Sequence, residues 1–382
     1  MKKTLYSLLT VAILLTVALS SAPRVLAQTA EVPLQWFDPL EAGPVVHGVG
    51  WTELRSGYVR LPDRAREVVR DQIWDLSRNS AGLSLVFESD ASEILVLYGV
   101  HDGLQMFHMP ATGRSGVDLY ARDSEGRLRW VAPDFPAQIR NDSTRYIYSN
   151  ITYYPEGSKT YEYHLYLPPY NTIDSLKIGI SQGASIRFIP ETREHPVVIY
   201  GTSITQGACA SRPGNGWTDI VERELDLPIV NLGFSGNGRL EPEVLELIAE
   251  IDASLYILDT TPNLTHATDI EDRILRAVQI LRARHDCPIL LVEHSGTVGE
   301  VASTAKAQFR KANAQVRSAW EALQRRGIPE IYYMTHEELG LPMDGMIEGV
   351  HHNDLGMRAL ADGFEKKILE VKAASKTARW DK

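Results

Sequence analysis

Beyond Glu191–Glu194 the chain alternates short apolar runs with helix-compatible stretches, and this alternation constrains the fold more than any other feature. The apolar runs Val197–Tyr200, Pro228–Leu232, Leu255–Leu258, Pro288–Glu293 and Ile331–Met334 are predicted strands. Between and after them Trp217–Leu225, Glu241–Glu250, Ile270–His285, Ala302–Arg326 and Asp354–Val371 are predicted helices. Repeated β-α units joined by right-handed crossovers give a parallel sheet covered by helices on both faces. The expectation is therefore an α/β domain, doubly wound, over residues 193–375.

The region before it reads differently. From Gly57 to Ile189 come short β-type runs separated by turn residues, among them Leu83–Phe87, Glu93–Tyr98, Val117–Ala121, Leu128–Val131, Glu162–Leu167, Ser175–Ile180 and Ser185–Ile189. Several alternate polar and apolar residues, as half-buried antiparallel strands do. A β-sandwich or jelly roll over residues 28–192 is expected. Within it, residues 28–50 read as an irregular lead-in and Ala65–Ser77 as a short helix or turn. Residues 376–382 read as a tail, polar from about Ala373 onward and expected to fray.

Lys2 and Lys3, the apolar stretch Leu5–Leu19 and the small-residue site at Val25–Ala27 have the pattern of a cleaved signal peptide over residues 1–27. The apolar stretch is short for a membrane span. The mature chain is expected in the periplasm or outside the cell, without membrane insertion. A net charge of -10 with no Lys/Arg block argues against nucleic acid or an anionic membrane as partner. Cys209 and Cys287 are the only cysteines, so either one disulfide or two buried thiols would fit. Metal-ligand spacing, the Walker motif and Gly-x-Gly-x-x-Gly are all absent, and neither metal nor cofactor is expected.

Chemistry-bearing residues gather just past the predicted strands. Gly201-Thr202-Ser203 follows the first, and a hydroxyl at a buried strand's end can be presented for reaction. Such a hydroxyl needs a base. His351, in Glu348-Gly349-Val350-His351-His352-Asn353-Asp354, opens the last helix; on the residues alone, an exposed loop is an equal reading. Asn231–Gly238 is a glycine-rich turn beyond the second strand. Asn263, beyond the third, reads as a turn or N-cap asparagine. His294 ends the fourth strand as a competing base. Trp217 could stack on a sugar ring but reads better as helix core; His101 and His108 of the β region could face a ligand or cleft, though surface histidines are the more usual reading.

The wording Gly-Thr-Ser-Ile-Thr-Gln-Gly at 201–207, followed in order by the Gly236, Asn263 and His351 stretches, resembles the SGNH (GDSL-type) hydrolases. The resemblance covers about residues 193–372, and Leu104–Tyr120 resembles the β-rich domain ahead of some bacterial members. It implies a flavodoxin-like sheet, Ser203 as nucleophile and His351 as base. It also implies an oxyanion hole from the Ser203 amide, the Gly236 amide and the Asn263 side chain. The family's Asp-x-x-His is here Glu348-x-x-His351, so Glu348 is the expected orienting carboxylate, with Asp344 the fallback. Gly-x-Asn-Asp is absent around Asn263, where Thr261-Pro262 precede and Leu264 follows. By resemblance the chain is expected to be an exported serine esterase removing O-acetyl groups from a poly- or oligosaccharide. The alternatives are a lipase or thioesterase on fatty acyl chains, for which no extended apolar loop stands out, and a non-catalytic glycan-binding protein.

Overall fold

The computed structural model describes residues 33–134, 138–151, 160–297 and 308–380. The leader expected at 1–27 lies outside these residues, as does the beginning of the helix expected at Ala302–Arg326. Leu34–Lys382 forms one compact unit.

Among the described residues its first half carries ten strands: β1 (Leu34–Phe37), β2 (Val46–His47), β3 (Ser84–Ser89), β4 (Ile94–Val100), β5 (Asp118–Arg122), β6 (Leu128–Val131), β7 (Thr144–Tyr148), β8 (Tyr161–Tyr166), β9 (Ile173–Ser181) and β10 (Ile186–Ile189). They form two antiparallel sheets. One has the order β1-β9-β4-β7, the other β10-β3-β8-β5-β6 with β2 paired to β3. Alternate residues of both sheets share one apolar core, Leu85, Phe87, Leu119 and Leu165 from the second with Ile94, Val96, Ile178 and Ile180 from the first. The lead-in is less irregular than its sequence suggests, because β1 and β2 add to the edges of these sheets.

In the second half β11 (Val197–Gly201), β12 (Ile229–Gly233), β13 (Leu255–Asp259), β14 (Ile289–Val292) and β15 (Ile331–Met334) form a parallel sheet of order β12-β11-β13-β14-β15. Its strands are mostly apolar because both faces are covered, with Asn231 in β12 and Asp259 at the end of β13 the buried polar exceptions. Val198, Tyr200, Val230, Leu232 and Leu258 face a core with helices at Pro242–Ile248, Ile270–Arg282 and Phe309–Arg325. Val197, Ile199, Ile229 and Ile257 face the other core, with helices at Trp217–Leu225 and Asp354–Ala374. Trp217 belongs to that core, fully buried and stacked on Phe364 at 3.9 Å between ring centroids.

Residues 50–80 are not strand, in keeping with the short helix or turn expected at Ala65–Ser77. They form 3-10 turns at Thr52–Ser56 and Asp63–Glu67 and a helix at Asp71–Ser77, and their Leu61, Ala65 and Ile73 pack into the parallel sheet's core. Arg60, 1% exposed, is the polar pin of this junction. Its guanidinium donates to the carbonyls of Leu76 (2.6 Å), Asn79 (2.8 Å), Asn231 (3.3 Å) and Gly233 (2.7 Å), and lies 5.1 Å from the Phe234 ring centroid. Residues 376–380 of the tail are anchored rather than frayed: Lys376 N–H donates to Glu330, Thr377 to the Asp286 carbonyl, and Trp380 lies under the Lys372 ammonium.

Replacing Arg60 with methionine keeps much of the side-chain volume but leaves four carbonyls without their donor. Stability should fall by about 3–5 kcal/mol, the scale for breaking a buried charged network, read as a lower urea midpoint at unchanged m-value. Arg187→Ala, removing an exposed pair with Glu88, should change stability by less than about 1 kcal/mol.

Candidate active site

The chain turns sharply at the end of β11. Thr202 adopts extended backbone and caps a single helical turn, Ser203–Gln206. Its Oγ1 accepts from the Ile204 N–H at 3.3 Å, while Thr205 Oγ1 accepts from the Thr202 N–H at 3.3 Å. This reciprocal cap stops the strand and starts the turn within one residue. The Thr205 hydroxyl then donates to Asp259 Oδ2, 2.7 Å away at the end of β13. Ser203 sits at the first helical position, where no preceding turn offers its N–H a carbonyl. Its own carbonyl accepts from the Ala208 N–H at 2.9 Å and the Tyr170 hydroxyl at 3.1 Å.

His351 reaches Ser203 from the loop ahead of the last helix. Its Nε2 lies 2.9 Å from Ser203 Oγ, and its Nδ1 is hydrogen-bonded to Glu348 Oε1. The i to i+3 spacing works because the glutamate folds back over its own turn: Oε1 also accepts from the His351 N–H and Oε2 from the Val350 N–H, each at 2.9 Å. A carboxylate on Nδ1 fixes the proton there, leaving the Nε2 lone pair for the hydroxyl. Asn353 caps the helix through the Leu355 and Gly356 N–H groups and donates to the carbonyls of Asp344 and Met346. Asp344 is therefore exposed and holds the loop through its backbone, and its carboxylate is not brought to His351.

Sheet order places the two remaining stretches on either side. Gly201 of β11 is register partner to Gly233 of β12 and to Asp259 of β13, so the loops after β12 and β13 flank the Ser203 turn. Gly236 is exposed at φ +70°, a left-handed conformation suited to glycine. Asn263 ends a 3-10 turn at Thr261–Asn263, and its Oδ1 accepts from the Gly238 N–H at 3.0 Å. That donor identifies the side-chain oxygen, so Nδ2 and its two protons face away from Gly238.

Other residues join from both halves. Gln206 donates to the Pro169 carbonyl at 3.0 Å and accepts from the Ser235 N–H at 3.0 Å, linking the first half to the glycine loop. Buried Asp118 accepts from Trp130 Nε1, the Gly214 N–H and Arg212. Ser211, beside Arg212, donates from N–H and hydroxyl to Asp354 at the start of the His351 helix, at 2.8 and 2.6 Å. His108, for which the sequence left a cleft-facing role open beside the more usual surface one, lies 5.2 Å from His351 between ring centroids. Burial and the His351 imidazole push its pKa down. His101 is a surface residue, 3.6 Å from Asp174.

His294 is not a competing base here. It is buried, its Nδ1 accepts from the Gly296 N–H at 2.9 Å, and burial takes its pKa down to about 4. His352 is likewise buried, bonded to Ser295 Oγ at 3.1 Å, its pKa pushed down to about 3. Cys209 and Cys287 are separate buried thiols, each pushed up to about 12 by burial. The loops near His351 expose Phe107 (95%), Met343 (74%), Ile347 and Val350, apolar side chains that no single run in the sequence announces. No helix among the described residues is long and apolar enough to cross a membrane.

Known proteins resemble the chain in both halves. Residues 194–369 match the family described as GDSL-like lipase/acylhydrolase. Residues 34–186 match the N-terminus of Esterase SGNH hydro-type, whose label GxDLY is the wording of Gly116–Tyr120. A GDSL-like lipase from Bacteroides ovatus is 28% identical, with a TM-score of 0.79 over 92% of this chain and 100% of its own. The salicylyl-acyltransferase SsfX3 of a tetracycline biosynthetic pathway has the same fold at 19% identity, with a TM-score of 0.67 over 90% of this chain and 99% of its own. A family two carbohydrate esterase from Clostridium thermocellum, in complex with cellohexaose, aligns at 11% identity and a TM-score of 0.46 over 76% of this chain and 92% of its own. No curated protein matches the sequence.

Burial raises the Asp259 carboxyl from 3.8 to about 7, with the Thr205 hydroxyl only partly opposing it. The folded state thus holds this proton more tightly than the unfolded chain. The contribution is full below about pH 4 and is lost as pH rises through about 7. Asp259→Asn keeps the acceptor for Thr205 and removes the ionisation. Chemical denaturation between pH 4 and 7 should show a shallower decline for the variant, by up to about 4 kcal/mol across the window. A residual slope should come from Asp219, which burial also raises to about 7.

Proposed function

We propose, from the match of residues 194–369 to the GDSL-like lipase/acylhydrolase family, that this chain is an exported serine esterase that removes O-acetyl groups from a poly- or oligosaccharide. The observation that carries the ester chemistry is the unbroken chain Ser203 Oγ, His351 Nε2, His351 Nδ1, Glu348. His351 takes the Ser203 proton as Oγ attacks the ester carbonyl. Glu348 holds the imidazole and stabilises the imidazolium that forms. The N–H groups of Ser203 and Gly236 and the Asn263 side-chain amide stabilise the oxyanion. The imidazolium returns its proton to the departing sugar hydroxyl, leaving an acyl-serine. Water, deprotonated by His351, attacks the acyl-serine, releases acetate and restores Ser203.

The parallel sheet, read as flavodoxin-like and doubly wound, carries these groups at its strand ends, where open α/β sheets bind ligands. We take residues 28–192 as a jelly-roll-like sandwich beside it, and the exposed Phe107 ring as a face on which a sugar can stack. The sugar itself is argued by resemblance to esterases with such an accessory domain. Export rests on the leader-like composition of residues 1–27. A second reading, hydrolysis of longer acyl esters, is favoured by the exposed Met343, Ile347 and Val350.

Nitrophenyl esters of increasing chain length and acetylated oligosaccharides separate the readings. Acetate release together with a preference for acetyl over lauryl esters supports the deacetylase, and the reverse preference supports the lipase. Ser203→Ala should lower kcat by about 10⁴-fold or more, and retained activity would sink the mechanism. Glu348→Ala should cost about 10³–10⁴-fold, and Asn263→Ala about 10²–10³-fold. Asp344→Ala should leave kcat close to wild type.

A further inference from the structure

His108, Cys209 and His351 come from three separate segments, yet each offers a ligand atom within 4.8 Å of the other two. His108 belongs to a tight turn closed by the mutual backbone hydrogen bonds of Met106 and Met109. Its Nδ1 is buried and has no hydrogen-bond partner, an arrangement that costs free energy unless something binds there. Cys209 follows the Ser203 turn with φ +69°, although it is not glycine. Such backbone costs on the order of 1 kcal/mol and persists only where its surroundings impose it. The thiol is held with Met109, Tyr170 and Ala208 in a small apolar cluster.

We propose that these three side chains form a binding site for a thiophilic divalent cation, Zn²⁺ foremost, whose occupation switches off the esterase. The inference rests on the assignment of His351 as the base. One thiolate with two imidazoles suits Zn²⁺ and discriminates against Mg²⁺ and Ca²⁺, which prefer oxygen. Tetrahedral Zn–S and Zn–N bonds set ligand atoms about 3.3–3.5 Å apart, so the cluster needs only small side-chain rotations to close. On binding, the Cys209 proton leaves to solvent and the thiolate and two neutral imidazoles donate electron pairs; nothing is oxidised or reduced.

His351 Nδ1 is engaged by Glu348, so Nε2 is the nitrogen left for the metal. That lone pair is the one directed at Ser203 Oγ. Metal binding and serine activation therefore compete for a single electron pair. Glu348 serves either state, because a carboxylate behind a metal-bound histidine fixes its ring just as it fixes a base. A fourth position is open to water or to Ser203 Oγ.

The test uses the full chain in two parallel experiments. Chelator-treated wild type is titrated with buffered Zn²⁺ while ester hydrolysis is followed, then chelator is restored. Ser203→Ala protein is titrated with Co²⁺ while the thiolate-to-cobalt charge-transfer band is recorded. The expected result is reversible inhibition. His108→Ala and Cys209→Ser should each weaken it at least tenfold relative to their own metal-free rates. A thiolate–cobalt band should appear in Ser203→Ala and vanish in Ser203→Ala/Cys209→Ser. Unchanged inhibition in both ligand variants, absence of the band, or loss of activity on chelation would overturn the proposal. The cobalt spectrum needs neither an intact nucleophile nor a hydrolysable ester. A band in a protein inactive on every ester would therefore reject the esterase reading and keep the metal site.

Discussion

The close approach of backbones at the carboxyl ends of β11 and β12 is the constraint on which the rest of this structure depends. A Cβ on Gly201 would fall 1.9 Å from Thr205 Oγ1, and one on Gly238 would fall 2.2 Å from the Gly201 carbonyl oxygen. Both contacts are impossible for any residue with a side chain, so the reciprocal cap between Thr202 and Thr205 exists only because Gly201 lies beneath it. The same contact brings the loop after β12 down onto the Ser203 turn. Asp259 then ties the turn to the central strand through Thr205. The serine is presented by rigid backbone on three sides rather than by a mobile loop, as a site needing sub-ångström placement requires.

The first half of the chain is part of that support rather than an appendage. Tyr170 holds the Ser203 carbonyl, and the Pro169 carbonyl holds Gln206, which in turn holds the glycine loop. On the other side Asp118 grips the 212–214 turn, and neighbouring Ser211 clamps Asp354 at the start of the His351 helix. Nucleophile and base are 148 positions apart in sequence, and their relative placement passes through side chains of the antiparallel sheets. This explains why Leu34–Lys382 behaves as one compact unit although its two halves have different architectures. Burial of the Asp118 carboxylate raises its pKa, and the Arg212 guanidinium partly offsets that cost. A desolvated charge of this kind is tolerated where it fixes geometry.

Much of the parallel sheet was legible because its strands are buried on both faces and its helices are amphipathic, so Trp217–Leu225 and Ile331–Met334 fall where their patterns place them. The antiparallel strands were legible where they carried apolar runs, and β7 was not, because Ile147 is the one aliphatic residue of Thr144–Tyr148. The helix at Asp71–Ser77 falls within the short helix or turn expected at Ala65–Ser77, but its packing into the core of the parallel sheet is not something local periodicity carries. The position of Ser203 could be read from its place past a strand end, and that of His351 from its place ahead of the last helix. His108 could not: its neighbours describe a turn, and only tertiary packing brings it against the imidazole.

The choice of carboxylate shows how spacing and side-chain length trade against each other. Three positions before His351, an aspartate would have to approach Nδ1 with its backbone closer to the ring. Glutamate adds one methylene, and the turn absorbs it by letting the carboxylate collect the Val350 and His351 N–H groups as well as the imidazole. Those two backbone donors remove the rotational freedom its longer chain would bring. Glutamate here is thus a different solution to the same geometric requirement, with the added methylene accommodated by the loop. The loop that makes room for it also carries Met343, Ile347 and Val350 outward, so the geometry of the base and the apolar rim beside it arise from the same stretch of backbone.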